Sequence, residues 1–359
     1  MPVSICVVGG AGLIGRRHVQ HCLDEESVEL ACIVDPTQSG VEFAKDKNVL
    51  LFRTLDELLI ARAEGHVRVD GVILATPNST HVPLATQLLK AGITTLVEKP
   101  LSTDVSSGKV LLEVERSSQA KILVGHHRRF NPYVRNMKRL LDSGLVGEIL
   151  AVQGQWSACK PLSYFQAPTE WRQDPSAGGG PILINLVHDI DLFRYFFGNI
   201  TRVYCEIGKK TRGFEVEETG AMTLRFVSGI VGAFVFSDAS ASPGHFESAT
   251  GENPLMPQLG EPVYSVLGTT GSFSFPELKV FHYSSPSGSW LDRLVTESSL
   301  SVDTTPPFTH QLRHFVKVIG REEQPNCCAE DALLTIHTLD AIVESAKTGL
   351  PVEIPVAIQ

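Results

Sequence analysis

The stretch VVGGAGLIG, residues 7–15, closes an apolar run and sets Gly10, Gly12 and Gly15 in the spacing G-x-G-x-x-G. Between a strand and a helix each glycine has a physical use. Gly10 permits the tight turn, Gly12 lets backbone approach a pyrophosphate, and Gly15 allows the helix to pack closely. Such a run alone is weak, because glycine-rich turns also arise for structural reasons. Two further observations decide its reading. The first 125 residues alternate strand and helix signals, which implies crossover units and a parallel sheet. Asp35 ends the second candidate strand, 20 residues after Gly15, where a carboxylate can accept from both ribose hydroxyls and would repel a 2′-phosphate. Gly10, Gly12, Leu13, Ile14, Gly15 and Asp35 are therefore expected to bind NAD rather than NADP, with Thr37, Gln38 or a nearby arginine able to modify the preference.

Working outward, candidate strands are 5–8, 30–35, 49–52, 71–75, 94–98 and 121–125. Between them, Val82, Ala85, Leu88 and Leu89 share a helical face that Gly92 stops, with Ser79 or Thr80 as the start signal. From about residue 150 the period changes to two: Met222, Leu224 and Phe226 alternate with polar neighbours, and Ser228 and Gly229 turn the chain into 230–236, an antiparallel hairpin. Further strands are expected at 149–157, 201–207, 263–267 and 272–275, and 237–263, rich in Ser, Pro and Gly, reads as a long irregular loop. Ala332, Ile336, Leu339, Val343 and Ala346 form a closing helix. The expectation is an α/β chain: a dinucleotide-binding Rossmann domain over 1–125, then an α+β domain with a largely antiparallel open sheet over 126–359, whose C-terminal helix, 330–347, is a candidate to pack back on the first.

The bulk composition is that of an ordinary globular chain. Its 359 residues are 43% hydrophobic and 20% charged. A net charge of −9 speaks against a nucleic-acid surface, leaving only a local basic patch at HHRRF, 126–130. Seven cysteines without C-x-x-C spacing signal neither a disulfide framework nor a zinc site. With no signal-peptide pattern and no run of about twenty apolar residues, the expectation is a reduced cytoplasmic protein away from membranes.

Three other stretches carry chemistry. ATPNSTH, 75–81, ends the fourth strand with small and hydroxylated residues that let a cofactor lie close, so Thr76, Pro77, Asn78 and His81 are candidates, although the same letters also spell a turn and a helix start. LVEKPLS, 96–102, puts Glu98 and Lys99 at the carboxyl edge of the fifth strand, where open α/β sheets bind ligands. A lysine there can exchange a proton with a substrate hydroxyl during hydride transfer. In GGGPILINLVHDIDLFRYFFG, 178–198, a glycine break precedes Ile184, Val187, His188, Asp191 and Tyr195 at helical spacing, with Asn185 and His188 on one side. A histidine on an apolar face is usually a core residue, but Asn185, His188, Asp189 and Asp191 together suggest a wet cavity.

The fingerprint, EKP, and GGG followed by HDID together resemble the Gfo/Idh/MocA family of NAD(P)-dependent oxidoreductases. GHHRRFNPY at 125–133, Trp171 with Arg172, GTTGSFSFP at 268–276 and the closing AEDALLTIHTLDAIVESAKTG extend the likeness through nearly the whole chain, nearest to fungal quinate-utilisation oxidoreductases. The resemblance implies Lys99 as general acid/base and His188 as a contact to the substrate hydroxyl, with Arg128, Trp171, Arg172 and Asn185 also around the substrate. Many members carry an aspartate four residues before that histidine; here Ile184 stands there, and the amide of Asn185 cannot serve as a base. The implied activity is hydride transfer between NAD and a secondary alcohol of a sugar, cyclitol or hydroxylated ring acid, without a metal, in a homodimer or homotetramer. For an acid substrate Arg128, Arg129, Arg172 and Lys160 are the cations available. The fold also serves NAD-dependent glycosidases and dinucleotide-binding transcriptional regulators.

Overall fold

The computed structural model describes residues 1–285, 287–298 and 301–358. Its first sheet is parallel and six-stranded, built from β1 (Val3–Val8), β2 (Val28–Val34), β3 (Leu50–Phe52), β4 (Gly71–Leu74), β5 (Thr94–Val97) and β6 (Ile122–Val124) in the order β3-β2-β1-β4-β5-β6. Strands such as VSICVV and GVIL are apolar without alternation because helices cover both faces. Those helices are α1 (Leu13–Asp24), α2 (Gln38–Lys47), α3 (Leu55–Ala63), α4 (His81–Lys90) and α5 (Val105–Arg116). Thr37, Thr54 and Asp104 cap α2, α3 and α5 through side-chain oxygens that accept backbone N–H bonds.

The second sheet has nine strands, ordered β14-β13-β12-β11-β7-β10-β9-β8-β15 and antiparallel except where β10 runs beside β7. After α6 (Pro132–Asp142) come β7 (Ile149–Ser157), α7 (Pro181–Ile184), α8 (Leu186–Phe197), β8 (Ile200–Ile207), β9 (Thr219–Phe226), β10 (Val231–Ser237) and α9 (Phe246–Thr250). The sheet continues through β11 (Tyr264–Gly268), β12 (Gly271–Phe275), β13 (Val280–His282) and β14 (Val295–Glu297); then α10 (Pro307–Ile319), α11 (Ala329–Thr348) and β15 (Val352–Glu353) complete the chain. Along β9 the side chains alternate buried and exposed, the sign of a sheet packed on one face only.

Two compact units result: Met1–Phe130 with Thr305–Ile336 and Ile358, and Asn131–Thr304 with His337–Ala357. In the first, apolar clusters lie on the two faces of the parallel sheet, one including Leu312 and Phe315 of α10 and the other Cys327, Ala332 and Leu333. The second has one large cluster that includes Phe193, Phe234, Tyr264 and Phe275, whose rings meet edge-on or stacked.

Some elements differ from the sequence reading. The irregular loop expected over 237–263 contains α9, because Phe246 and Ala249 enter the second core and Gly251, at φ +71°, stops the turn. The helical spacing expected from Ile184 to Tyr195 is interrupted at Asn185, which parts α7, ending at Ile184, from α8. HHRRF forms no basic surface: Arg128 and Arg129 are 3% and 2% exposed, and Arg129 bonds Asp331 and the Asn326 carbonyl. Among the described residues no helix is long and apolar enough to cross a membrane.

Candidate functional site

The glycine turn joins β1 to α1. Gly9 rather than Gly10 reverses the chain, at φ +80°, and a Cβ there would stand 2.5 Å from the Ala75 carbonyl oxygen. Gly10 lies against β2 instead, where a Cβ would come within 3.0 Å of Ile33. At Gly15 a Cβ would stand 2.0 Å from the Gly9 carbonyl oxygen, so α1 can approach its own turn only without a side chain. No side chain caps the start of α1 at Gly12 and Leu13, which leaves a helix amino terminus suited to an anion.

Asp35, at the end of β2, is 4% exposed. Its Oδ2 accepts from the Ala11 N–H at 2.9 Å, and its Oδ1 from the Thr37 N–H at 3.0 Å and the Thr37 hydroxyl at 2.5 Å. Three of about four acceptor positions are thus used to tie the glycine turn to the α2 entry, leaving room for one further donor. Arg53 donates to the Pro36 and Thr37 carbonyls, so a guanidinium stands beside this loop.

The loops after β4 and β5 are fastened by histidines. His81 is fully buried, its Nδ1 2.8 Å from the Pro100 carbonyl oxygen and its Nε2 2.9 Å from that of Thr76. The Thr80 hydroxyl lies 2.7 Å from both Thr76 Oγ1 and the Pro77 carbonyl. Glu98 is buried; its Oε1 accepts from His18 Nε2 at 2.7 Å and its Oε2 from the Lys99 backbone N–H at 3.2 Å. Burial would raise the Glu98 carboxyl, but the bond and charge of His18, with His127 and Lys99, outweigh it and hold it below its ordinary range. Lys99 itself is half-buried at the carboxyl end of β5.

The second unit holds a separate, mostly apolar cavity of about 570 Å³ with a few polar groups, lined among others by Trp156, Lys160, Tyr164, Asn185, His245 and Glu247. Lys160 Nζ donates to Asn185 Oδ1 at 2.7 Å, lies 3.4 Å from Asp238 Oδ2, and sits over the Trp156 and Tyr164 rings at 5.3 and 4.7 Å. Burial pushes its ammonium down to about 8 against the pull of Asp238. Burial raises the Asp238 carboxyl as well, against Lys160 and Arg212. Arg172 stacks on Tyr164 at 3.9 Å. In the glycine break, Gly180 has φ +89° and faces the Glu217 carboxylate, which accepts from the Ile182 N–H at 2.9 Å.

Residues 3–126 match the oxidoreductase family with an NAD-binding Rossmann fold, and residues 134–274 match the GFO/IDH/MocA C-terminal domain. The chain belongs to the Gfo/Idh/MocA family. It is 24% identical to a scyllo-inositol 2-dehydrogenase (NAD(+)) of Bacillus subtilis, over 98% of this chain and 96% of that one. An inositol 2-dehydrogenase of Rhizobium meliloti is 26% identical over 53% of each chain. The chain spans about half the length of some of the curated relatives it matches. The crystal structure of a myo-inositol 2-dehydrogenase from Lactobacillus plantarum shares the fold, with a TM-score of 0.76 and 22% identity over 99% of this chain and all of the other.

In this Gfo/Idh/MocA chain the first unit is therefore an NAD-binding Rossmann domain, and its local geometry fits the dinucleotide: an uncapped helix start, glycines without space for Cβ atoms, and Asp35 at the β2 edge. The parallel sheet gathers Gly12, Leu13, Ile14, Gly15, Asp35, Thr76, Pro77, Asn78, Glu98 and Lys99 at its carboxyl edge. His81 is turned inward onto backbone carbonyls. In the second unit Asn185 and Lys160 meet in the cavity, whereas Asp189 bonds the buried Tyr264 hydroxyl at 2.5 Å and belongs to the core. His18 escaped the sequence reading although it had a signal: Gly15, His18, Val19 and Cys22 are the buried stripe of α1, so its ring had to face inward. Asp238 and Arg212 had none, since only the strand pairing and the Asp238 contacts bring them to Lys160.

Proposed function

We propose that this protein is an NAD-dependent dehydrogenase of a secondary alcohol on a cyclitol, sugar or hydroxylated ring acid. The observation that carries the reading is Lys99 at the carboxyl end of β5, on the sheet edge that also holds the glycine turn and Asp35. When bound, NAD supplies the hydride acceptor. Gly12, Leu13, Ile14 and Gly15 would hold its diphosphate and Asp35 its ribose, with Thr76, Pro77 and Asn78 as further residues for the cofactor. The neutral Lys99 amine accepts the substrate O–H proton as the carbinol C–H electron pair leaves as hydride and the C–O bond becomes a ketone. By family resemblance His188, Asn185, Trp171, Arg172 and Arg128 are assigned to the substrate, and Ile184 in place of an aspartate leaves proton transfer to Lys99. Inositol dehydrogenases among the relatives support a cyclitol. The cavity around Lys160 supports a ring bearing a carboxylate, of the quinate kind, because a buried ammonium flanked by two aromatic faces can meet both an anion and the apolar side of a ring. The seven free thiols suit the reducing cytoplasm, and the family resemblance supports a homodimer or homotetramer.

The test is NADH formation, followed by absorbance, with myo- and scyllo-inositol, simple sugars, quinate and shikimate. We expect turnover with NAD, and a loss of about 10² to 10⁴ in rate for Lys99→Ala with dinucleotide binding retained. Tight NAD binding with no oxidation across the panel would favour a dinucleotide-responsive regulator, and cleavage of a glycoside without net NADH would favour a glycosidase.

A further inference from the structure

We propose that His18 and His81 are positioning residues for Lys99, gripping the Glu98–Lys99–Pro100 turn from its two ends. The inference rests on the dehydrogenase reading only for what Lys99 does; the grip itself rests on geometry. At the front of the turn, Glu98 accepts the Lys99 backbone N–H through one oxygen and His18 Nε2, at 2.7 Å, through the other. Gly125 lies against this carboxylate and leaves it its place: a Cβ there would be 3.0 Å from Glu98 Cδ. At the back, His81 Nδ1 approaches the Pro100 carbonyl oxygen at 2.8 Å while its Nε2 reaches that of Thr76 at 2.9 Å. Both rings are buried, so these contacts are made without competing water.

The origin of the two histidines gives the grip its meaning. His18 projects from α1, the helix that opens in the glycine turn, and His81 begins α4, just past Thr76, Pro77 and Asn78. Each therefore links the proton-transfer turn to a segment assigned to the cofactor, so that amine and dinucleotide are held by one framework. This is the positional control that near-attack geometry needs. The grip also has an electrostatic side, since the Glu98 carboxylate and the Lys99 ammonium each favour the other's charged form. The titratable groups facing Glu98 are His18 from α1, His127 from the turn after β6, and Lys99 itself. From α10 the neighbour is the uncharged Phe308 ring, edge-on to His18 at 5.4 Å and stacked on His127 at 4.6 Å.

The experiment is an NMR titration of the Lys99 side-chain amine in the full-length protein, the resonance assigned by its absence in Lys99→Arg, combined with kcat and KM across pH and NADH affinity. Glu98→Gln keeps the shape and the His18 contact but sets an NH2 where Oε2 accepted the Lys99 N–H, so it removes the charge and loosens the front of the grip together. It should move the Lys99 midpoint down by about one pH unit, and the rise of kcat with pH should move with it. His81→Leu should lower kcat about 10- to 100-fold with NADH affinity and KM held. His81→Gln, whose amide carries two N–H donors, should recover most of that loss. A Lys99 midpoint unmoved in Glu98→Gln, or a folded His81→Leu protein with wild-type kcat, overturns the proposal. If the wild type oxidises none of the alcohols, the titration still decides the grip, and only the dehydrogenase reading falls.

Discussion

A methyl group at Gly15 would stand 2.0 Å from the Gly9 carbonyl oxygen, with backbone on both sides of the contact. Neither partner is a flexible side chain, so Gly15→Ala must push α1 off the turn. We expect about 1–3 kcal/mol of destabilisation, as for overpacking elsewhere, together with loss of NADH affinity. Urea unfolding and NADH fluorescence titration measure the two; a variant with unchanged midpoint and affinity would refute the close approach. Gly12 offers the contrast, because a Cβ there meets nothing nearer than 3.3 Å. The spacing of the glycines was legible in the sequence, but which one turns the chain was not: Gly9 and Gly10 are interchangeable as letters, and only the position of Ala75 on the neighbouring strand end separates them.

Between α1 and α10 lies a small aromatic and histidine contact: His21 stacks on Phe308 at 5.7 Å, its Nδ1 is 3.2 Å from the Thr309 hydroxyl, and Arg17 lies over the Phe308 ring. Burial, then the charge of His18, lower the His21 imidazole below its ordinary 6.5 against the pull of Asp24, with Arg17 adding a lesser push downward. A histidine depressed in the folded state contributes stability that is full above the unfolded value and fades as pH falls through it toward the folded one. Thermal melts should therefore drop between pH 7 and pH 5.5, less so in His21→Gln; an equal drop in both would clear His21 of the effect. Element by element, the parallel strands were readable because burial on both faces leaves long apolar runs, and β9 and β10 because they alternate. The strands β13, β14 and β15 span two or three residues and are too short to show a period. The break between α7 and α8 was hidden because the apolar spacing carries straight across Asn185.

Across the whole molecule, the first unit is not a continuous piece of chain. Its apolar clusters on the two sheet faces take Leu312 and Phe315 from α10, and Cys327, Ala329, Ala332, Leu333 and Ile336 from the stretch around the start of α11. Emptying the Phe315 position alone should cost about 3–5 kcal/mol, a large part of the stability of a typical domain. A chain ending at Phe130 is therefore expected to lack a cooperative melt and to bind NADH weakly, and restoring residues 305–336 through a linker should recover both, as read by circular dichroism and fluorescence. A sharp melt for the short chain would show that the early residues suffice. The sequence signals for a dinucleotide domain stop near residue 125, since the glycine fingerprint and the strand–helix alternation are local, whereas membership of α10 in that core depends on contacts with distant residues, such as Phe315 and Ile319 against Gly71 and Thr309 against His21, the last 288 residues apart.

That division has a consequence for synthesis. The first 130 residues leave the ribosome with both faces of their sheet incompletely covered, and the segment that completes them, 305–336, follows roughly 200 residues later, which at about 5–20 residues per second is on the order of 10 to 40 s. Throughout that interval the nascent chain exposes apolar surface, so its yield in a cell depends on holding chaperones more than its finished stability would suggest.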